Sequence, residues 1–227
     1  MLEPKPNPTN HLPDGTIPKA VVGRLSLYLR ELQHLVDDGS ATTSSSQLGR
    51  KLGFTDAQVR KDLAFFGHFG YPGIGYRCDE LINAIRGILG TDRQWPIAMV
   101  GAGNLGRALL GYRGFKRQGF HIVAAFDEDP TKVGSLIEGV EVYHIDRLPE
   151  ISRQHGVRLG LIAVPATAAQ DVADRLVKAG IEGILNFAPA TIRLPANVSD
   201  VGVDLAIELE QLSFSVLNRL SRPADEP

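Results

Sequence analysis

One stretch of this chain constrains its fold more than any other. The apolar run Trp95–Val100, WPIAMV, leads directly into Gly101-x-Gly103-x-x-Gly106, and a helix is expected from Asn104 to Gly111. Glycines at this spacing between a strand and a helix have separate tasks. Gly101 permits a sharp turn, Gly103 lets a pyrophosphate approach the backbone, and Gly106 lets helix and strand pack closely. The turn Gly101, Ala102, Gly103, Asn104, Leu105 and Gly106 is therefore a candidate dinucleotide cradle. Without a ligand, the same glycines would make an ordinary tight turn. Asp127 ends the next predicted strand, His121–Phe126, 24 residues after Gly103. Its carboxylate would accept hydrogen bonds from ribose hydroxyls and repel a 2′-phosphate. No arginine stands immediately beside it, which favours NAD(H) over NADP(H).

The residues after this turn alternate strand and helix. A weak strand is expected near Glu141–Tyr143, and Leu159–Val164 is continuously apolar, as a buried parallel strand should be. Thr167–Ala179 is an amphipathic helix, Gly183–Phe187 a strand, and one more short strand precedes the final helix. The alternation predicts an α/β domain with a parallel Rossmann-like sheet over residues 91–203.

Residues 18–90 have a different period. Pro18 starts a helix on which Val21, Val22, Leu25, Tyr28, Leu29, Leu32 and Val36 recur at helical spacing. The polar stretch SATTSS separates it from Ser44-x-x-Gln47, a capping-box form that opens a short helix. Gly53 makes a turn, and Thr55-x-x-Gln58 repeats the capping form before a third helix running to about Phe66. Three helices joined through a glycine turn follow the helix-turn-helix plan. Val59, Leu63 and Phe66 would pack inward, leaving Gln58, Arg60 and Lys61 near the helix start to reach base edges. Ser44, Ser45 and Thr55 head helices, where hydroxyls and free N–H groups can hold phosphates. The glycine-dense GHFGYPGIGYR, residues 67–77, fits a hairpin wing, and a helix over 79–89 leads to the domain boundary.

Charge permits DNA binding without demanding it. Residues 19–62 carry seven basic and five acidic side chains, a difference of +2, in a chain of net charge −2. Helix geometry rather than net charge therefore points to DNA. The single cysteine, Cys78, excludes an intrachain disulfide or a zinc site and points to a reducing cytoplasm. No metal site is expected. No apolar run reaches the roughly 20 residues that span a bilayer. Residues 1–17 are proline-rich and are expected to form a loose tail, as are 221–227.

Two enzymatic or binding alternatives arise from the glycine turn. A small NAD-dependent dehydrogenase would need a proton donor, and none of the six histidines stands in a catalytic setting. It would also need a substrate domain, for which the residues after Leu185 leave no room. A CoA-binding module could use the same turn, but the ribose 3′-phosphate of CoA would meet Asp127. Residues 204–220, DLAIELEQLSFSVLNRL, are too apolar for a helix with a free solvated face. A partner subunit that takes up this helix would account for them.

Several segments together resemble the Rex family of redox-sensing transcriptional repressors found in many Gram-positive bacteria. They are TSSSQLGRKLGF, QVRKDLAFFGHFGYPGIGY, VGAGNLGRALLGY, FDEDPTKVG, AGIEGILNFAP and LSFSVLNRL, and the likeness runs from about residue 18 to 220. The resemblance implies a homodimer of winged-helix and Rossmann domains on an inverted-repeat operator, with the C-terminal helix exchanged between subunits. It implies that NADH releases the protein from DNA and that NAD+ permits binding. It places the nicotinamide near Val164-Pro165 and Asn186-Phe187-Ala188-Pro189, and it makes Arg30, Tyr112 and Asp204 the residues of an interdomain switch. One departure is Pro72, where some members carry a basic wing residue.

Overall fold

The computed structural model describes residues 17–220, so the predicted tails lie outside it except for residue 17. The chain divides into two compact units between Arg93 and Gln94. The division falls three residues after the expected boundary at 90/91. Past the left-handed cap at Gly90, the Thr91 N–H still donates to the Arg86 carbonyl at 2.9 Å and holds the chain to the last helix of the first unit.

The first unit runs α1 (Lys19–Asp37), β1 (Thr42–Thr43), α2 (Ser45–Leu52), α3 (Asp56–Ala64), β2 (Tyr76–Arg77) and α4 (Cys78–Leu89). The α1 stripe buries Val21, Leu25, Tyr28, Leu29 and Leu32. Val22, one position around the helix, is exposed, and Val36 opens onto a groove shared with Ile74. Ser44 makes the complete capping box with Gln47. Gly49 lets the α2–α3 turn close, since a Cβ there would sit 2.4 Å from the Phe54 carbonyl oxygen. Thr55 makes only half a box: its hydroxyl accepts the Gln58 N–H, but the Gln58 side chain donates to Asp62 instead.

Asp62 organises this unit. Its side chain is fully buried and accepts four hydrogen bonds. Arg24 donates from Nε at 2.5 Å and Nη2 at 2.8 Å, the Tyr28 hydroxyl at 2.8 Å, and the Gln58 amide at 2.7 Å. Burial alone would push the carboxyl up, but Arg24, Tyr28 and Gln58 outweigh it and hold it below its ordinary range. Burial, reinforced by Asp62, pushes the Tyr28 hydroxyl up. The carboxylate thereby ties α3 to α1.

The wing is smaller than the sequence predicts. Tyr71 and Gly75 form a single antiparallel bridge around Pro72-Gly73-Ile74, not a ribbon. The return arm Tyr76–Arg77 pairs with Thr42–Thr43, inside the stretch expected to be a polar connection. Gly75 permits that close passage, because a Cβ there would lie 2.3 Å from the Thr43 carbonyl oxygen. Cys78 is buried, and burial pushes its thiol up, as expected of an unreactive cysteine.

The second unit runs β3 (Trp95–Val100), α5 (Asn104–Leu110), α6 (Arg113–Arg117), β4 (Phe120–Asp127), β5 (Leu136–Ile137), β6 (Val140–His144), α7 (Leu148–Gln154), β7 (Leu159–Ile162), α8 (Ala169–Lys178), β8 (Gly183–Asn186), β9 (Ser199–Gly202) and α9 (Leu205–Leu220). The sheet order is β5-β6-β4-β3-β7-β8-β9, parallel throughout except for the β5–β6 edge hairpin. Strand order reverses between β3 and β7, the switch point at which such sheets bind ligands beyond their carboxyl ends. Alternation along β3 sends Ala98 and Val100 into the core with Leu148, Val172 and Leu176, and Ile97 and Met99 into the core with Leu110 and Leu161. Three short elements had no sequence signal: α6, β5 and α7 are each too brief to display a period.

Among the described residues, one side of this unit stays open. Ile97, Phe115, Phe120, Leu159, Leu161 and Leu185 contribute to an apolar groove of about 450 Å³ that reaches Val201 on the edge strand β9. The α9 helix is exposed from Leu205 to Arg219, with Leu205, Leu209, Phe214 and Leu217 each 60% or more in solvent. Asp204 caps it by accepting the Ala206 N–H at 2.9 Å.

Asp62→Ala is expected to destabilise the chain by about 3 kcal/mol, the low end for breaking a buried pair, because Arg24 keeps some contact with water. The folded-state value of Asp62 is depressed. Its stabilisation is therefore complete above the unfolded aspartate value of about 3.9 and is lost as pH falls through the lower folded value. Denaturant melts should show wild type and Asp62→Asn converging below that range. A constant gap down to acid pH would contradict the ion pair.

Candidate dinucleotide cleft and nucleic-acid interface

The glycine turn is closed on one side and open on the other. Gly101 has φ +102°, and a Cβ there would lie 2.4 Å from the Ala163 carbonyl oxygen at the end of β7. A Cβ on Gly106 would fall 1.9 Å from the Gly101 carbonyl oxygen. At Gly103 a Cβ would meet nothing within 4 Å. Gly101 and Gly106 are thus demanded by the fold, whereas Gly103 faces free space. Ala102 and Gly106 are buried, and Asn104 and Leu105 are exposed at the start of α5.

Beside the turn lies a cleft of about 390 Å³. Gly101, Gly103, Asp127, Val164 and Pro165, all expected at the site, line it together. Asp127 is not a free carboxylate. Its Oδ2 accepts the Ala102 N–H at 2.8 Å and Lys132 Nζ at 3.1 Å, and its Oδ1 accepts the Asp129 N–H at 2.9 Å. Burial pushes its carboxyl up, but these donors win and hold it below the usual range. Lys132 is a cleft residue that sequence reasoning missed. The Asp129 side chain accepts from Thr131 and turns the chain so that Lys132 reaches back, a local return written in the DEDPTK run. Glu128 and Asp171 also line the cleft, so three carboxylates there outnumber one ammonium.

The NFAP segment does not line this cleft. Asn186, Ala188 and Pro189 line a separate cavity of about 420 Å³ with Val203, Asp204, Ile207 and Glu208. The Asn186 side chain accepts the Ala188 N–H and donates to the Ala190 carbonyl, which fixes the loop. The Phe187 N–H donates to the Ile162 carbonyl at 2.9 Å and continues the β7–β8 pairing. Of the three residues of the expected switch, Arg30 is exposed on α1 and Tyr112 is exposed with its ring edge-on to Phe115. Tyr112 also lies over Gly114, where a Cβ would come within 2.4 Å of the ring. Asp204 is partly buried at the start of α9.

On the first unit, α3 turns Ala57, Arg60, Lys61 and Ala64 outward. Lys61 is exposed and unpaired among the described residues. Arg60 donates from Nη1 to Asp56 at 2.7 Å and to Ser45 at 3.2 Å. Gln58 does not share this face, because Asp62 holds its amide on the flank toward α1. Ser44 and Thr55 accept backbone N–H groups as caps, which leaves their hydroxyl protons free for an outside acceptor.

Comparisons with known proteins agree with both units. A family profile described as "Putative DNA-binding protein N-terminus" matches residues 16–64, and one described as "CoA binding domain" matches 92–190. The redox-sensing transcriptional repressor Rex of Carboxydothermus hydrogenoformans is 51% identical over 88% of this chain and 96% of its own length. Rex 1 of Thermotoga maritima is 44% identical over 90% and 98%. A solved structure of RSP in complex with β-NAD+ and operator DNA superposes with a TM-score of 0.86 at 35% identity, covering 91% of this chain and 95% of that one. RSP in complex with β-NADH gives 0.82 at 34%, covering 91% and 97%. With identity of this level along nearly its whole length, and with both units in place, the chain belongs to the Rex family of redox-sensing transcriptional repressors, proteins that regulate transcription and are not enzymes.

Proposed function

We propose that this chain is a cytoplasmic, homodimeric repressor that binds an inverted-repeat operator and is released from it by NADH, with NAD+ permitting binding. The observation that carries the reading is the pairing, in one chain, of a glycine turn open at Gly103 above Asp127 with an exposed cationic face at Arg60 and Lys61. The residues present fit a dinucleotide. The Gly101–Gly106 turn, through Ala102, Gly103, Asn104 and Leu105, receives the pyrophosphate. Asp127 and Lys132 receive the adenosine ribose, and Val164, Pro165 and Asn186–Pro189 serve the nicotinamide end. When bound, the dinucleotide supplies a ring whose charge differs by one between its oxidised and reduced forms. Asp127, Glu128 and Asp171 disfavour the extra phosphate of NADP(H) and of CoA. A competition titration of bound NADH by CoA should therefore displace nothing.

Arg60 and Lys61 enter the major groove in this reading, while Ser44, Ser45 and Thr55 hold phosphates. Gln58 is reassigned from base contact to support of Asp62. A second copy covers α9 and the open sheet side near Val201, which answers their exposure. Arg30, Tyr112 and Asp204 then carry the dinucleotide signal to the DNA-binding unit.

Gel shifts with an inverted-repeat operator test the reading directly. NADH should release the wild type and NAD+ should not. Full retention on DNA with NADH saturation confirmed by calorimetry would refute it. Arg60→Ala should lose about 1–3 kcal/mol of operator binding per half-site and keep its NADH affinity.

The two kinds of glycine separate fold from ligand. Gly106→Ala is expected to destabilise by about 1–3 kcal/mol, as overpacking does. Gly103→Ala should melt like the wild type yet bind NADH at least tenfold more weakly. Equal NADH affinity in Gly103→Ala would move the ligand away from the turn.

A chain ending at Val203 should sediment as a monomer at concentrations where the full chain is a dimer, and should lose tight operator binding. A stable dimer of that truncation with wild-type operator affinity would contradict the role of α9.

A further inference from the structure

Arg60 shows an unused edge. A guanidinium carries five N–H donors in a fixed plane. Both protons of Nη1, the nitrogen on the Cδ side, are accounted for by Asp56 Oδ2 at 2.7 Å and Ser45 Oγ at 3.2 Å. Among the described residues, Nε and Nη2 donate to nothing. Their two parallel N–H bonds form the side-on fork that matches the O6 and N7 acceptors of guanine in the major groove. The guanidinium is therefore held at its back and presented by its side.

The two anchors come from different helices. Asp56 is the first residue of α3, four before Arg60, and Ser45 is the first residue of α2. Asp56 holds the side chain against its own helix, and Ser45 fixes it relative to the neighbouring one. The Asp56 side chain is 45% exposed and the Arg60 side chain 55%. Arg60 keeps the Asp56 carboxyl below its usual range, so the anchor is ionised throughout the neutral range. An exposed carboxylate on a face that approaches phosphates works against non-specific affinity. Its placement makes sense where it serves discrimination.

We propose that Asp56 and Ser45 are positioning residues that aim the Nε–Nη2 edge of Arg60 at one guanine of each operator half-site. The proposal rests on α3 being the helix that enters DNA. With Asp56 in place Arg60 pays little ordering entropy on contact, and without it the same arginine samples phosphates and other bases equally well. Exposed pairs of this kind couple weakly, so the expected loss of base preference is about two- to fivefold per half-site.

Selection by the full-length protein from a pool of randomised inverted-repeat duplexes gives the base preference at each half-site position. Arg60→Ala should abolish preference for guanine at one position, and replacing that guanine by 7-deazaguanine should weaken wild-type binding there. Asp56→Ala should flatten the preference at the same position about two- to fivefold while raising affinity for a non-operator duplex. Asp56→Asn, which keeps an acceptor oxygen, should restore most of the preference, and Ser45→Ala should give a smaller flattening of base preference at that position, beside a sequence-independent loss of affinity from its phosphate contact. A general structural defect would lower all positions together and would count against the proposal. If Arg60→Ala loses the guanine preference and Asp56→Ala retains it in full, positioning by Asp56 is wrong and the reading of α3 stands. If Arg60→Ala keeps every preference, both fall.

Discussion

The carbonyl oxygen of Gly101 is approached by the backbone of Gly106 so closely that no side chain fits between them. That contact fixes where α5 begins relative to β3, and the cleft follows from it. The same carbonyl-edge geometry brings Gly101 against Ala163, so the ends of β3 and β7 are drawn together at the point where strand order reverses. The Gly101 N–H reaches the Phe126 carbonyl at 2.8 Å, and Asp127 follows in sequence and accepts the Ala102 N–H. Turn, acid and neighbouring strand are one bonded unit. A carboxylate used in this way is prealigned, and any ribose it receives finds a rigid partner rather than a side chain that must first be ordered.

Asp62 is the counterpart in the first unit, and its logic differs. A buried carboxylate is costly, and replacement of such a pair by apolar groups is often neutral or better for stability. What the carboxylate adds here is direction. It can only accept, so it takes Arg24, Tyr28 and Gln58 as donors and is satisfied by the register of α1 and α3 that brings all three to it. The outward register of Arg60 and Lys61 depends on that choice, since Val59, Asp62 and Leu63 define the inward side of α3.

The parts of this molecule legible in its sequence were those with a period or a steric signature. The β3–glycine–α5 unit, the capping box at Ser44 and the apolar α1 stripe follow from local rules, and Asp127 follows from its place at the end of the second strand. What escaped reading was non-local or short. Asp62 looks like any charged helix residue until Arg24 and Tyr28, more than 30 positions earlier, arrive beside it. The same hub took Gln58 from the face where helix position alone would put a base reader. Lys132 was hidden because its role depends on a turn closed by Asp129, and Thr42–Thr43 because two residues make no alternation. That Asn186, Ala188 and Pro189 line a different cavity from Gly103 could not be read from spacing at all.

The different residues at the two places bear on how a ratio of two nearly identical ligands can be sensed. A ligand shifts an equilibrium only by its difference in affinity for the two states. NADH and NAD+ share every contact at the pyrophosphate and ribose, so Gly103, Asp127 and Lys132 cannot tell them apart. In the proposed placement the nicotinamide end falls to Val164, Pro165 and Asn186–Pro189, whose own side chains carry no charge, while Asp200, Asp204 and Glu208 line the cavity beside Asn186, Ala188 and Pro189. Seating a cationic ring against uncharged side chains costs desolvation that a neutral ring does not pay, so these residues favour the reduced form, and the acids of the same cavity work in the opposite direction. A hundredfold change in DNA affinity requires a coupling of about 2.7 kcal/mol, a size that partial desolvation of one charge can supply. The remaining requirement is an element that responds at that end. Asp204 caps α9 and lines the same cavity as Ala188 and Pro189, so the start of the exposed helix adjoins the loop through which oxidation state would be felt.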